Sequence, residues 1–133
     1  MKSPDSDIRK LLQTIATAKG LLIYDRVPEQ VTSNYVHVSD ITSADNFTAD
    51  RVIWETELML DVVTFFDTNK GGRKTADEIG NTLLTELLDK YQVLTDFMIV
   101  KSTLLSMNYV DEANDRGYII RKLIRISFEL ESI

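Results

Sequence analysis

Apolar positions along the chain switch between two periods, and the switches mark out its elements. Ile8, Leu11, Leu12 and Ile15 recur at the spacing of one helical face. Ser3-Pro4 supplies a start signal and Gly20 a stop, so an amphipathic helix is expected over roughly residues 4 to 19. The run LLIY at 21–24 and the alternating NYVHVS at 34–39 are rich in β-formers and predict two short strands. Between them DRVPEQVTSN, with Pro28 and several turn formers, reads as a loop, and the polar SDITSADNFTAD at 39–50 reads as a second, longer one.

Residues 51–66, RVIWETELMLDVVTFF, alternate. Val52, Trp54, Leu58, Leu60, Val62 and Phe66 share one parity, and Arg51, Glu55, Glu57 and Asp61 the other, which is the period of a half-buried strand. Fully extended, it would run roughly 50 Å. That is longer than a small sheet needs, so the strand is expected either to bend or to reach beyond its own core.

A second helix follows the glycine pair at 71–72. Thr75-Ala-Asp-Glu78 matches a capping box, in which the hydroxyl and the carboxylate each satisfy a free amide. Ala76, Ile79, Leu83, Leu84, Leu87 and Tyr91 form its buried stripe, and Gly80 on that stripe predicts a close approach to the sheet. FMIVKSTLLSM at 97–107 predicts a strand and DEANDRG at 111–117 a turn. In the last segment Tyr118, Ile120, Ile124, Ile126, Phe128 and Leu130 face one way and Arg121, Arg125 and Glu129 the other. The expected fold class is α+β, a mostly antiparallel β-sheet with two amphipathic helices packed on one face.

Composition narrows the function. The 133 residues, 44% hydrophobic and 27% charged, suit a single domain spanning 1–133. With 15 basic against 21 acidic residues, the net charge of −6 would repel a phosphate backbone. The chain has no cysteine, hence no disulfide, thiolate nucleophile or thiolate metal ligand. Its N-terminus, MKSPDSDIRK, lacks the apolar stretch of a signal peptide, and no apolar run approaches the ~20 residues that span a bilayer. A protein folded in a cytoplasm and not held in a membrane is expected.

Catalytic patterns fail on inspection. The stretch FFDTNKGGRKTADEIG at 65–80 suggests a phosphate-binding loop, but Thr68 and Arg73 stand where that motif requires its two glycines. A glycine-bearing strand-to-helix connection accounts for it, with Lys70, Arg73 and Lys74 as a small basic tip. His37, the only histidine, lies on a strand with Ser39 and Asp40 close in sequence, where one imidazole is not placed to reach both partners of a triad. Glu55, Glu57 and Asp61 share a strand face, but nothing in the sequence converges on them to hold a cation or make an acid–base pair. No enzyme, cofactor or metal is expected.

Residues 21–130 carry a resemblance. LLIYDRVPEQVTSNYVHVSD has an apolar run ending in Tyr-Asp, then Val-Pro, then Tyr-Val-x-Val. The long strand, the glycine-marked loop, ADEIGNTLLTELL and GYIIRKLIRISFELE follow. This order resembles the tail-completion or tail-terminator proteins of long-tailed bacteriophages. The resemblance implies a virion protein of the tail or neck, assembled in the host cytoplasm. Copies would form a ring, typically a hexamer, on the head-proximal end of the tail tube, ending tube growth and joining the tail tube protein to a head connector or neck protein. DNA would pass through without specific binding. On that reading Val27, Pro28, Tyr35, Lys70, Arg73, Lys74, Arg121 and Arg125 are candidate subunit or partner contacts, and Glu55, Glu57 and Asp61 a candidate channel lining that repels phosphates. The alternatives are another homo-oligomeric tail-tube or neck component, or a small non-enzymatic adaptor domain.

Overall fold

The computed structural model describes residues 2–47, 51–66, 71–90, 92–114 and 117–133. Its elements run α1 (Asp5–Lys19), β1 (Ile23–Tyr24), β2 (Tyr35–Phe47), β3 (Val52–Phe66), α2 (Lys74–Leu88), β4 (Phe97–Asn114) and β5 (Gly117–Ser132). The fold class is α+β, with a mixed five-stranded sheet in the order β1-β2-β3-β5-β4. β1 joins β2 in parallel, and β2–β3, β3–β5 and β4–β5 pair antiparallel.

Local chemistry sets the helix ends. The carbonyl of Pro4 accepts the amide of Ile8 at 3.0 Å, so the proline stands at the cap of α1, one position earlier than a first-turn proline. Gly20 ends α1 with φ 66°, a left-handed conformation that costs glycine little, and Leu21 donates its amide to the Ala16 carbonyl at 3.0 Å. The capping box expected at Thr75 does not form. α2 begins at Lys74, capped by Arg73, whose carbonyl accepts the Asp77 amide at 2.8 Å without any side-chain cap.

One core joins the elements. Ile8, Leu12 and Ile15 of α1 and Leu83 and Leu87 of α2 cluster with Trp54, Leu58, Leu60 and Val62 of β3 and with Ile124, Ile126, Phe128 and Leu130 of β5. These strand residues are all even-numbered, as the alternation of 51–66 and 118–130 requires. Each fully buried side chain of this size is worth about 1.5–3 kcal/mol over leaving it in water. The even positions of the two central strands are therefore what fixes their register, since a slip by one residue would exchange them for Glu57, Asp61 and Arg121.

Three expectations are corrected. The segment from Ser39 is not a loop: β2 continues to Phe47, paired with β3 as far as Phe47↔Val52. A bulge between Val38 and Asp40 shifts its parity, so Ile41 pairs with Leu58 and Ser43 with Thr56 on the core face. The segment from Asp111 is not a turn up to Gly117, because β4 runs to Asn114, which pairs with Gly117. Finally, β3 and β5 have no free edge to pair with a neighbouring molecule. Each is flanked by strands on both sides, and the long strand left with one neighbour is β4.

Candidate functional site

Two clusters of charge sit on opposite faces of the β3–β5 pair. On the face opposite the core, the acidic side chains of β3 and the basic ones of β5 form one lattice. Asp61, only 3% exposed, accepts hydrogen bonds from Arg121, whose Nε lies 3.2 and 3.0 Å from its two oxygens and whose Nη2 also reaches it. Arg121 Nη1 donates to Glu112 of β4 at 3.1 Å. Four residues along β5, Arg125 pairs with Glu57. The bond to Asp61, aided by Glu112, holds the guanidinium proton of Arg121 more tightly than usual.

Aromatic rings close one end of this lattice. Tyr35 lies 6.0 Å from both Tyr24 and Phe65, in tilted contacts. Burial, reinforced by the negative charge of Asp61, raises the pKa of the Tyr35 hydroxyl above its ordinary 10.0. At the other end Glu55 is exposed and pairs across the strands with Glu129, a like-charge rung that is mildly destabilising in isolation.

On the core face lies a cluster that the sequence pattern concealed. Lys122 occupies an apolar-parity position opposite Val62 and is 4% exposed. Its Nζ meets Asp77 Oδ1 of α2 at 3.0 Å and lies 5.5 Å from the Tyr109 ring centre. The Tyr109 hydroxyl also donates to Asp77, and the Arg73 guanidinium sits 4.4 Å over the Tyr109 ring while reaching Asp111 at 3.2 Å. First through Tyr109 and then through Lys122, the Asp77 carboxyl is held below its ordinary 3.8. Gly80 admits this lysine: a Cβ there would lie 3.1 Å from Lys122 Cδ and 3.3 Å from its Nζ. The close approach that Gly80 predicted is real, and what approaches is a charged side chain. Only the glycine hinted at it.

The structure thus joins Arg121 and Arg125 to Asp61 and Glu57, residues that the sequence assigned to separate roles. Arg73 turns back onto β4, whereas Lys74 is exposed, 4.0 Å from Glu78. Val27 is half-buried and Pro28 exposed in the connection from β1 to β2, apart from both clusters. Lys70 lies outside the described residues. Gly71 and Gly72, with φ 154° and 143°, lead the chain into α2, as a strand-to-helix connection requires. His37 Nε2 lies 3.1 Å from the Asp25 carbonyl. Among the described residues no His, Asp or Glu side chains gather to hold a metal ion, and no helix is long and apolar enough to cross a membrane.

A paired charge lattice, an aromatic border and a long strand with one strand neighbour thus mark an α+β protein without a gathered catalytic or metal cluster among the described residues, and comparison with known proteins gives its class. Residues 3–129 match the tail completion protein gp17 family, and the chain belongs to that family. It is a structural protein of phage-type tails, with its place in the virion. No curated protein matches the chain. Among solved structures, a chain described as "Virion of native gene transfer agent (GTA) particle" superposes with a TM-score of 0.69 at 18% identity, covering 95% of this chain and 92% of its own, a likeness of fold.

Proposed function

We propose that copies of this protein close into a ring, of about six subunits, on the head-proximal end of the tail tube. The ring halts tube growth and offers a surface to the neck or head connector. The observation that supports this most directly is the family match over nearly the whole chain, on a fold whose long strand β4 has a single neighbour. A neighbour of the same fold comes from the virion of a gene transfer agent, an assembly of the same general kind.

In such a ring the face carrying Glu55 turns to the channel. Asp61 is buried and compensated by Arg121, and Glu57 is paired with Arg125. Outside these pairs the face carries Asp40 and the Glu55–Glu129 rung, where Lys101 of β4 stands beside Glu129, so acidic groups outnumber basic ones there and repel the phosphates of passing DNA. Glu55→Lys combined with Glu129→Lys should slow DNA delivery while leaving particle assembly intact. Unchanged infectivity would remove the channel assignment.

Mass measured over a wide concentration range, with negative-stain images, tests the ring. A closed particle of about six copies supports it. Long tubes would make the protein a tube component. A protein that is monomeric at every concentration and fails to cap isolated tails would refute the reading.

A further inference from the structure

The geometry points to the contact by which neighbouring copies join: the outer edge of β4 in one copy pairs antiparallel with the outer edge of β2 in the next. This inference rests on the ring reading and specifies its interface.

Both edges are open over most of their length. Val93 bridges Met98 and Gln92 accepts the Ile99 amide at the start of β4, and from Val100 onward β4 pairs, among the described residues, with β5 alone. β1 covers β2 only at Val36 and His37, and among the described residues no strand pairs with β2 from Asp40 onward on that side. An unpaired edge offers a row of free amides and carbonyls, and proteins that must stay monomeric normally obstruct it with charge or proline. From Val100 to Val110, β4 has one lysine and no proline.

Two bulges shape β4, and in each the extra residue is apolar. Val100 falls between Ile99 and Lys101, and Leu105 between Leu104 and Ser106. They are 43% and 46% exposed, among the most exposed large apolar residues of the strand. A bulge re-aims a side chain. Here both leave a hydrophobic group in water along the open edge, and an apolar anchor that a partner desolvates is what strengthens a contact.

The second copy is favoured as occupant by the register of the sheet itself. Followed rung by rung through β5 and β3, Thr103 is level with Ser127, Glu57 and Thr42, and Lys101 with Glu129, Glu55 and Ala44. The bulged part of β4 and the uncovered part of β2 therefore occupy the same rungs at opposite sides of one sheet. A rotation about an axis along the strands brings them together without sliding, which is the condition for a heterologous contact to close into a ring and not climb into a filament. The antiparallel sense follows, because β4 runs antiparallel to β2 within the sheet. Apolar matching agrees: Val110, level with Tyr35, would meet the edge where Leu22 is 43% exposed.

The cysteine-free chain allows a clean test. Thr103→Cys combined with Thr42→Cys, or with Ala44→Cys two residues along the same face, should under mild oxidation give a ladder of covalent multimers ending at the ring mass. Cross-strand neighbours lie within disulfide reach. Thr103→Cys with Thr17→Cys, on the exposed side of α1, should give no ladder. Leu105→Asp should raise the concentration needed for assembly at least tenfold without lowering the melting temperature of the unassembled chain. Rings that form undiminished in Leu105→Asp and give no ladder with either pair would overturn this interface while leaving the ring standing. Dimers from Thr103→Cys alone would also overturn it, since two β4 edges would then face each other. Failure of the unmodified protein to form any ring, alone or on tails, would overturn both readings.

Discussion

Arg121 on β5 holds the buried carboxylate of Asp61 on β3 with two of its nitrogens while its third reaches Glu112 on β4, so one side chain ties three strands. Removing it strands a charge. Arg121→Ala should cost about 3 kcal/mol in urea unfolding, near the low end for breaking a buried pair because water reaches part of the arginine. Arg121→Lys should recover only part of this, having lost the fork geometry. A loss of under about 0.5 kcal/mol for the alanine variant would show that water compensates Asp61.

Gly80 faces a different constraint. Alanine normally stabilises a helix interior by about 1 kcal/mol over glycine. Here its Cβ would press on Lys122, which Asp77 and Tyr109 hold in place. Gly80→Ala should therefore destabilise, by about 1 kcal/mol net, and Gly80→Val by more. In a Lys122→Ala background the alanine penalty should shrink or reverse, a coupling that a double-mutant cycle in denaturant will read.

The same cluster predicts an acid response. The Asp77 carboxyl is held low by the Tyr109 hydroxyl and Lys122, so the folded protein binds this proton less readily than the unfolded chain. Its stabilisation is present above pH of about 4 and is lost as pH falls through the depressed folded value. Glu86, held low by Lys90 and Lys19, acts in the same direction. Melting temperature should fall between about pH 4 and pH 2, and Asp77→Asn should make that fall shallower. An unchanged slope would remove Asp77 from the account.

Arg73 links the start of α2 to β4 through Tyr109 and Asp111. Both contacts are solvent-facing, so Arg73→Ala should cost no more than about 1 kcal/mol globally. Its effect should appear locally, as faster amide hydrogen exchange in the first turn of α2 with little change in β5.

The elements with strong periodicity were legible in the sequence. The stripes Ile8–Ile15 and Ala76–Leu87 and the even parity of β3 and β5 emerge as the core because burial enforced them. The second half of β2 was not legible. Thr42, Ala44 and Asp45 are exposed and the bulge shifts the parity at Asp40, so backbone pairing holds a segment whose side chains read as a loop. Lys122 was hidden for the opposite reason, being a charged residue at a core position made tolerable by Asp77 and by the missing side chain of Gly80. That Arg121 and Arg125 pair with Asp61 and Glu57 was not legible, because strand neighbours are set by long-range pairing. That β5 lies between β3 and β4, leaving β4 outermost, is likewise no local property.

That strand order also governs timing. β4 has a single strand to lean on, and that strand is made after it. A nascent chain that has released residues 97–114 but not 117–132 has nothing to lay β4 against, and an isolated strand is not stable in water. The outer edge of β4, the surface proposed to meet a second copy, thus comes into being only once β5 has threaded into the middle of the sheet. Association through that edge, as proposed, would then be confined to chains that have finished folding.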